Sequence, residues 1–423
     1  MLDLKFVLMN QEYVRKSLSN RGFDIDIVNE LFEKAQNRGR LMFDAQSKKS
    51  ELTRLSKLFA HYKNEPRSSL INLKNEIDQV KAAETKLAAD VETLNKKIND
   101  LLVIIPNLPL DNVPIGENED QNVVLEMNDS IGRGLVKNVL PHYEIAKRLD
   151  MIDIDRAVKL SGSRYVIYKN TGAKLVRALI NFMLDLHHEK GYQEFCTPVI
   201  VNENILFGTG QLPKFKDDLY KLENSNQYLI PTAEVTLTNI HNNEIIDLSK
   251  PFKATAYTEC FRSEAGSSGK DTRGLIRQHQ FKKIELVKIT NEETAMSEFR
   301  LMLNDAKEVL EKLQIPYRSV QLCTGDLGFS ARTTIDLELW LPSEQRFRET
   351  SSVSYMGDFQ SRRAMIRYKD SNGETKYAHT MNGSGLAVDR VIAALLEIYQ
   401  NEDGTITIPE ALIPYMGGMK VIK

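Results

Sequence analysis

Phe252-Lys-Ala-Thr-Ala-Tyr-Thr-Glu-Cys-Phe-Arg-Ser-Glu264 and Arg277-Gln-His-Gln-Phe-Lys-Lys-Ile-Glu-Leu-Val287 frame the stretch that decides how this chain folds. Both runs carry the β-branched and aromatic residues of strands, and they predict a long antiparallel hairpin over 254–264 and 277–287. The connection between them, with three glycines and charges of both signs, exceeds the roughly 2–5 residues of an ordinary hairpin turn. A long glycine-bearing loop of this kind points to function.

Strand side chains alternate faces, so Arg262 and Glu264 fall on one face and Arg277, His279, Phe281, Lys283 and Glu285 on one face of the partner strand. A buried sheet face is normally apolar, so this ionic set needs charged partners. Arginine forks suit phosphate and carboxylate oxygens, an aromatic face suits a base, and carboxylates suit an ammonium group or a metal. ATP beside an amino acid would meet all of these needs. A solvent-facing hairpin with a ladder of salt bridges is the alternative.

Phe261-Arg-Ser-Glu-Ala-Gly-Ser267 and Thr272-Arg-Gly-Leu-Ile-Arg-Gln-His-Gln-Phe281 resemble motif 2 of the class II aminoacyl-tRNA synthetases, in the wording of the bacterial-type seryl-tRNA synthetases. The resemblance covers nearly the whole chain. It implies an α+β fold: an antiparallel β-sheet catalytic domain flanked by helices, with an N-terminal antiparallel two-helix coiled-coil arm. It also implies serine–tRNA ligase activity, in which L-serine and ATP give seryl-adenylate and the seryl group passes to the 3′ end of tRNA(Ser). Charging of tRNA(Sec) stays open.

Composition sets outer limits. A chain of 423 residues, 42% apolar and 27% charged, suits a soluble protein of two or three domains. The net charge of −2 argues against general attraction to nucleic acid or membrane and leaves room only for a local basic patch. Cys196, Cys260 and Cys323, odd in number and widely spaced, fit neither a disulfide framework nor a zinc site. With no basic-flanked apolar leader at the start and no apolar run near the roughly 20 residues of a membrane span, a cytoplasmic setting is expected.

Residues 1–103 read as an N-terminal domain. After a short capping segment to about residue 24, a helical pattern runs to about Leu102 and breaks at Asn64-Glu-Pro66. In the second helix Leu70, Leu73, Ile77, Val80, Leu87, Val91, Leu94, Ile98 and Leu101 alternate spacings of three and four, with Glu84 the one break. Val28, Leu31, Ala35, Met42, Ala45, Leu52 and Phe59 form the less regular partner seam, interrupted by Arg38, Lys49 and Ser56. So short a connection makes the helices antiparallel, an arm of roughly 45–50 Å. Its outer half carries Lys48, Lys49, Arg54, Lys57, Lys63 and Arg67 against Glu51 and Glu65. That excess is either the solvated face of a hairpin or a phosphate-binding surface. The resemblance makes it the grip on the long variable arm of tRNA(Ser).

Three prolines between Ile104 and Pro114, then an acidic glycine-bearing run, suggest a linker over 104–121 and a single catalytic domain over 122–423. Within it, 172–190 is an amphipathic helix with Leu175, Leu179, Phe182 and Leu186 on one stripe, leading to a strand that ends at Thr197-Pro198. The resemblance makes this motif 1, the homodimer interface. Gly208-Thr-Gly-Gln-Leu-Pro-Lys214 is neither a dinucleotide fingerprint nor a P-loop; it reads as a surface turn, or by resemblance a loop near the active site. Another helix is expected between Arg300 and Pro316, and a strand over 333–341 with Trp340 in a structural role. Thr380-Met-Asn-Gly-Ser-Gly-Leu-Ala-Val-Asp-Arg390 reads as a glycine-rich entry to an apolar helix, whose free amides would favour an anion. By resemblance it is motif 3.

Site roles follow from the resemblance alone. Arg262, Glu264 and Arg390 are the implied catalytic residues. Thr232, Ala233, Glu234, Arg262, Glu285 and Ser384 are implied to bind serine. Arg262, Ser263, Glu264, Arg277, Phe281, Glu349, Thr350, Ser351, Ser352 and Arg390 are implied to bind ATP, with Mg²⁺ on Glu349 and Ser352. Phe207, Thr350, Val353-Ser-Tyr-Met356 and Asp389 depart from the family's usual residues, which admits a diverged, inhibitor-tolerant paralogue. A carrier-protein ligase adenylating an amino acid without tRNA, and a silent scaffold, are the other readings.

Overall fold

The structure, a computed structural model, describes residues 1–61, 67–265 and 273–423. It divides into two compact units: Leu2–Ile105, and Pro106–Lys423 together with Met1.

In the smaller unit two short helices, Leu4–Met9 and Gln11–Asn20, precede the long helices Ile25–His61 and Arg67–Ile104. Asp3 caps the first by accepting from the amide of Phe6. Arg15 packs the second onto the arm, its guanidinium 4.6 Å from the centre of the Phe32 ring and its Nε donating to Asn29 at 2.9 Å. At 1.5 Å per residue the paired helices extend about 55 Å, longer than expected.

Every seam residue expected on the second long helix is half-buried or buried. The first helix differs in two places. Met42 is exposed while Leu41 is half-buried, and Leu55, buried to 2%, takes the place left by Ser56. Its seam therefore runs Val28, Leu31, Ala35, Arg38, Leu41, Ala45, Lys48, Leu52, Leu55, Phe59, a nearly regular three-and-four repeat that admits two basic residues. Arg38 donates to Asn95 across the seam at 3.3 Å, and Lys48 pairs with Glu51 at 2.8 Å. Lys49, Arg54 and Lys57 are exposed; Lys63 and the side chain of Arg67 lie outside the described residues.

The larger unit is built on an eight-stranded sheet in the order 123–128, 317–321, 333–341, 346–357, 379–387, 280–290, 252–261, 193–194. All neighbours are antiparallel except the last pair. The helices Asn170–Glu189, Ala295–Lys312 and Val388–Ile398 cover one face, where Leu179, Met183, Met302, Ala306, Val391 and Leu395 pack on Ile284, Leu286 and Leu339. On the other face, Val287 and Ile289 of the central strand meet Ala233, Leu237, Ala254 and Ala256. The same face of that strand turns polar toward the strand's start, at Phe281, Lys283 and Glu285. One face thus holds an apolar floor and a charged end.

Several expected bounds move. The hairpin strands are Phe252–Phe261 and Gln280–Thr290, so Arg262, Glu264, Arg277 and His279 sit beyond the regular ladder, although the Arg262 amide still donates to the His279 carbonyl at 2.9 Å. Glu264 takes φ of +54°, which no extended strand allows. Residues 266–272 of the connection lie outside the described residues. The strand after the 170–189 helix is only Gln193–Glu194 and does not reach Thr197-Pro198. The glycines of motif 3 form the strand His379–Ala387, and the helix begins only at Val388. They lie in an extended strand ahead of the helix, with Gly383 paired to Leu286, and so do not form the expected glycine-rich helix start.

The segment read from its prolines as a linker is packed. Buried Asn107 donates to the carbonyls of Ser330 at 2.9 Å and Met356 at 2.7 Å, and Leu108 and Val113 are buried with it. Trp340 donates to the Val136 carbonyl at 2.9 Å and is buried, a structural contact. No described helix is long and apolar enough to cross a membrane.

Candidate active site

The charged end of the sheet opens on a cavity of about 460 Å³ lined by Thr232, Glu234, Arg262, Glu264, Arg277, Phe281, Glu285, Glu349, Thr350, Ser352, Ser384 and Arg390 among others. Residues scattered over 150 positions of sequence converge here because the 280–290 strand lies between the 252–261 and 379–387 strands, with 346–357 next beyond. Ser384 pairs with Glu285 and Ser354 with Asn382 in register.

At one end sits a buried ionic nest. Glu285, fully inaccessible, accepts from Lys283 at 2.6 Å, Thr232 at 3.1 Å and Asn382 at 3.0 Å. A carboxylate offers about four acceptor positions, so one remains for a ligand donor. Glu234 lies close by and is buried. Gln360 donates to it at 2.7 Å and Gln211 at 3.4 Å. Burial, and then the neighbouring charge of Glu285, raise the Glu234 carboxyl to about 7 against the Gln360 hydrogen bond. Lys283 already balances Glu285, so Glu234 is the carboxylate that calls for a cation, and an ammonium group of an amino acid fits that need.

The other end is basic. The Arg262 guanidinium stands 5.1 Å over the Phe281 ring and donates to the Pro231 carbonyl at 3.4 Å. Arg277 forms a 2.6 Å pair with Glu264. Arg390, in the first turn of its helix, donates to the carbonyls of Ile276 and Glu349 and lies 3.7 Å from the Glu349 carboxylate. Three guanidinium groups around an aromatic face suit a nucleoside triphosphate.

A register shift between Glu349 and Ser351 disrupts the ladder of the 346–357 strand. Such bulges re-aim side chains, and here Glu349, Thr350 and Ser352 face the cavity while Ser351 turns away to donate to the Ser384 carbonyl at 2.7 Å. Ser351 is therefore not brought to the cavity wall. Neither is Ser263, whose hydroxyl donates to the Asp217 carbonyl at 2.6 Å, nor Ala233, which packs in the apolar floor.

The carboxyl of Asp336, paired in register with Ser352, is raised by burial and by Glu349, and its Oδ1 has no hydrogen-bond partner among the described residues. No group of three or more His, Cys, Asp or Glu side chains able to hold a metal occurs among the described residues. Mg²⁺ typically keeps its waters and takes one or two carboxylates plus substrate phosphates. The donor set of Glu349 and Ser352 beside Asp336 fits it.

Lys283, Asn382, Gln211, Gln360 and Asp336 escaped the sequence reading of the site. Lys283 stood on the charged strand face without a role; Asn382 fell in the run read as a glycine-rich helix entry, and Asp336 was an ordinary polar position in a strand. Gln360 lies on the short helix Phe359–Ala364, where no pattern marks it. Asp389, named only as a departure, is buried and tied down: it accepts from the Tyr168 hydroxyl at 2.5 Å and the Lys282 amide at 2.7 Å. Phe207 lies under the Arg363 guanidinium at 4.1 Å.

Known proteins match this chain over its whole length. Residues 217–399 match the tRNA synthetase class II core domain (G, H, P, S and T), and residues 1–109 match the seryl-tRNA synthetase N-terminal domain. A serine–tRNA ligase of Mycoplasmopsis agalactiae is 58% identical over the full length of both chains. The seryl-tRNA synthetase of Pyrococcus horikoshii, solved with ATP, is 34% identical with a TM-score of 0.94, covering 100% of this chain and 99% of its own. The cytoplasmic serine–tRNA ligase of Naegleria fowleri, solved with AMP, is 27% identical with a TM-score of 0.91 at 100% and 99% coverage. Core, arm and full-length likeness all lead to one place: the chain belongs to the seryl-tRNA synthetases, a family of class II aminoacyl-tRNA synthetases.

Proposed function

We propose that this protein is a serine–tRNA ligase, activating L-serine with ATP and transferring it to the 3′ end of tRNA(Ser). The observation that carries the reading is the single cavity with buried Glu234 and Glu285 at one end and Arg262, Arg277 and Arg390 at the other. The amino acid's ammonium group goes to Glu234 and the Thr232–Glu234 turn, its hydroxyl to Glu285 and Ser384, and its carboxylate to Arg262. Phe281 carries adenine, Glu264 its polar edge, and Arg277 and Arg390 the phosphate tail.

A serine carboxylate oxygen attacks the α-phosphorus, the bond to the bridging oxygen breaks, and pyrophosphate leaves. The terminal ribose hydroxyl of tRNA then attacks the seryl carbonyl and AMP departs. Both steps depend on positioning and on fixed positive charge, so no protein nucleophile is needed. Mg²⁺, held by Glu349 and Ser352, would neutralise phosphate charge when bound. Arg262 orients the attacking carboxylate beside the α-phosphate.

Lys48, Lys49, Arg54, Lys57, Lys63 and Arg67 on the arm bind the tRNA backbone. The protein acts as a homodimer through 172–198. It works in the cytoplasm, a reading that its three free cysteines support. Pyrophosphate exchange measured with each of the twenty amino acids tests the assignment. Serine alone should support it, and equal rates with alanine would refute the roles of Glu285 and Ser384.

A further inference from the structure

We propose that Gln360 is the positioning residue of the amino-acid pocket, its buried amide fixing the Glu234 carboxylate in the orientation that receives the ammonium group of serine. This rests on the serine-binding reading above and adds to it a residue to which the sequence reading gave no role.

Gln360 is 1% exposed and its amide uses three hydrogen bonds. Nε2 donates to the Thr209 carbonyl at 3.1 Å and to Glu234 Oε1 at 2.7 Å, while Oε1 accepts from the Thr380 hydroxyl at 2.6 Å. The orientation is forced, because a backbone carbonyl can only accept and so must face the amide nitrogen. One side chain thus links the end of the 203–209 helix, the 232–234 turn and the 379–387 strand. Arg363, one turn later on the same helix, donates to the carbonyls of Phe207 and Leu212 at 2.8 Å each. The helix therefore sets both the loop over the pocket and the carboxylate inside it.

Glu234 has few other restraints. Gln211 reaches Oε2 only at 3.4 Å. The charged groups acting on it are Glu285 and Lys283 from the 280–290 strand and Arg262 from the end of the 252–261 strand. Without Gln360 a buried carboxylate beside Glu285 would lose its one short donor, turn from the pocket, and hold a proton to higher pH.

The test replaces Gln360 with methionine, which keeps length and removes the donor. Serine and ATP dependence of pyrophosphate exchange are measured from pH 5.5 to 9, as an assay choice on the order of the usual enzyme range, alongside a thermal melt. Loss of a hydrogen bond to a charged group predicts a fall of ~10- to 100-fold in kcat/KM for serine. KM for ATP should stay within about threefold, since Gln360 touches no nucleotide-site residue. The acid limb of the serine profile should move toward alkaline pH. Unchanged serine constants and acid limb would overturn the proposal, as would parallel losses for serine and ATP that track a lowered melt.

If Gln360→Met fails to fold, Thr380→Val, which removes only the hydroxyl orienting the amide, carries the same test with a smaller shift in the same direction. Absence of serine-dependent exchange in the unmodified protein would instead refute the functional reading itself.

Discussion

Removing the Glu285 carboxylate separates pocket chemistry from pocket stability. In the intact protein it neutralises Lys283, whose side chain is 9% exposed, and accepts from Thr232 and Asn382. Glu285→Ala leaves a buried ammonium without its counter-charge, a change that typically costs about 3–5 kcal/mol. Two orphaned neutral donors add about 1 kcal/mol each where water cannot reach them. Lys283→Met in the Glu285→Ala background removes the stranded charge and should recover part of the loss, on the order of 2–3 kcal/mol. It should restore no preference for serine, because the acceptor for the serine hydroxyl stays absent; sites of this kind discriminate by roughly 10⁴–10⁵. Urea denaturation reports the first quantity and serine- against alanine-dependent pyrophosphate exchange the second. A Glu285→Ala protein as stable as the parent, or a double variant that regains serine preference, would refute this account of the nest.

Arg262→Ala and Arg390→Ala should each lower adenylate formation by roughly 10²–10³, the scale of removing one charge-stabilising donor. Circular dichroism and a sizing column should show an unchanged fold and assembly, and early unfolding would make either arginine structural. Glu234 has a folded value raised from 4.5 to about 7, so its contribution to stability is fully present below its unfolded value and is lost as pH rises through about 7. Glu234→Gln should therefore flatten the decline in stability of the ligand-free protein between these values, measured by urea midpoints at stepped pH, and an unchanged slope would refute the shift. For the arm, Arg38 meets Asn95, which sets Ala45 level with about Ala88. Deleting 46–87 and rejoining the helices with a short turn should preserve serine-dependent exchange, because every cavity-lining residue belongs to the other unit. Charging of tRNA(Ser) should fall by orders of magnitude, and in the full chain tRNA affinity should drop steeply with salt; undiminished charging of tRNA by the deletant would refute the arm's role.

The architecture was legible wherever side-chain periodicity carries information. The alternation around Phe281 and Glu285 marked a strand with one charged stretch, and the three-and-four spacing from Leu70 to Leu101 marked a seam. Periodicity fades at element ends, which is why Arg262, Glu264 and Arg277 were placed on strands that stop short of them. It also fails where a basic residue takes a seam position, as Arg38 and Lys48 do. Glycine misled in motif 3, because Gly383 and Gly385 serve close packing against Val353 and His187 within a strand. Lys283, Asn382 and Gln360 joined the site only through register and packing, since a polar residue on a strand or short helix reads the same whether it faces water or a buried carboxylate.

Charging of purified tRNA by the full-length protein tests the central claim most directly. With ATP, Mg²⁺ and labelled serine, label should accumulate on tRNA(Ser) and stay near background on alanine and threonine tRNAs. Accumulation of seryl-adenylate with no label passing to tRNA(Ser), or faster labelling of another tRNA, would contradict it.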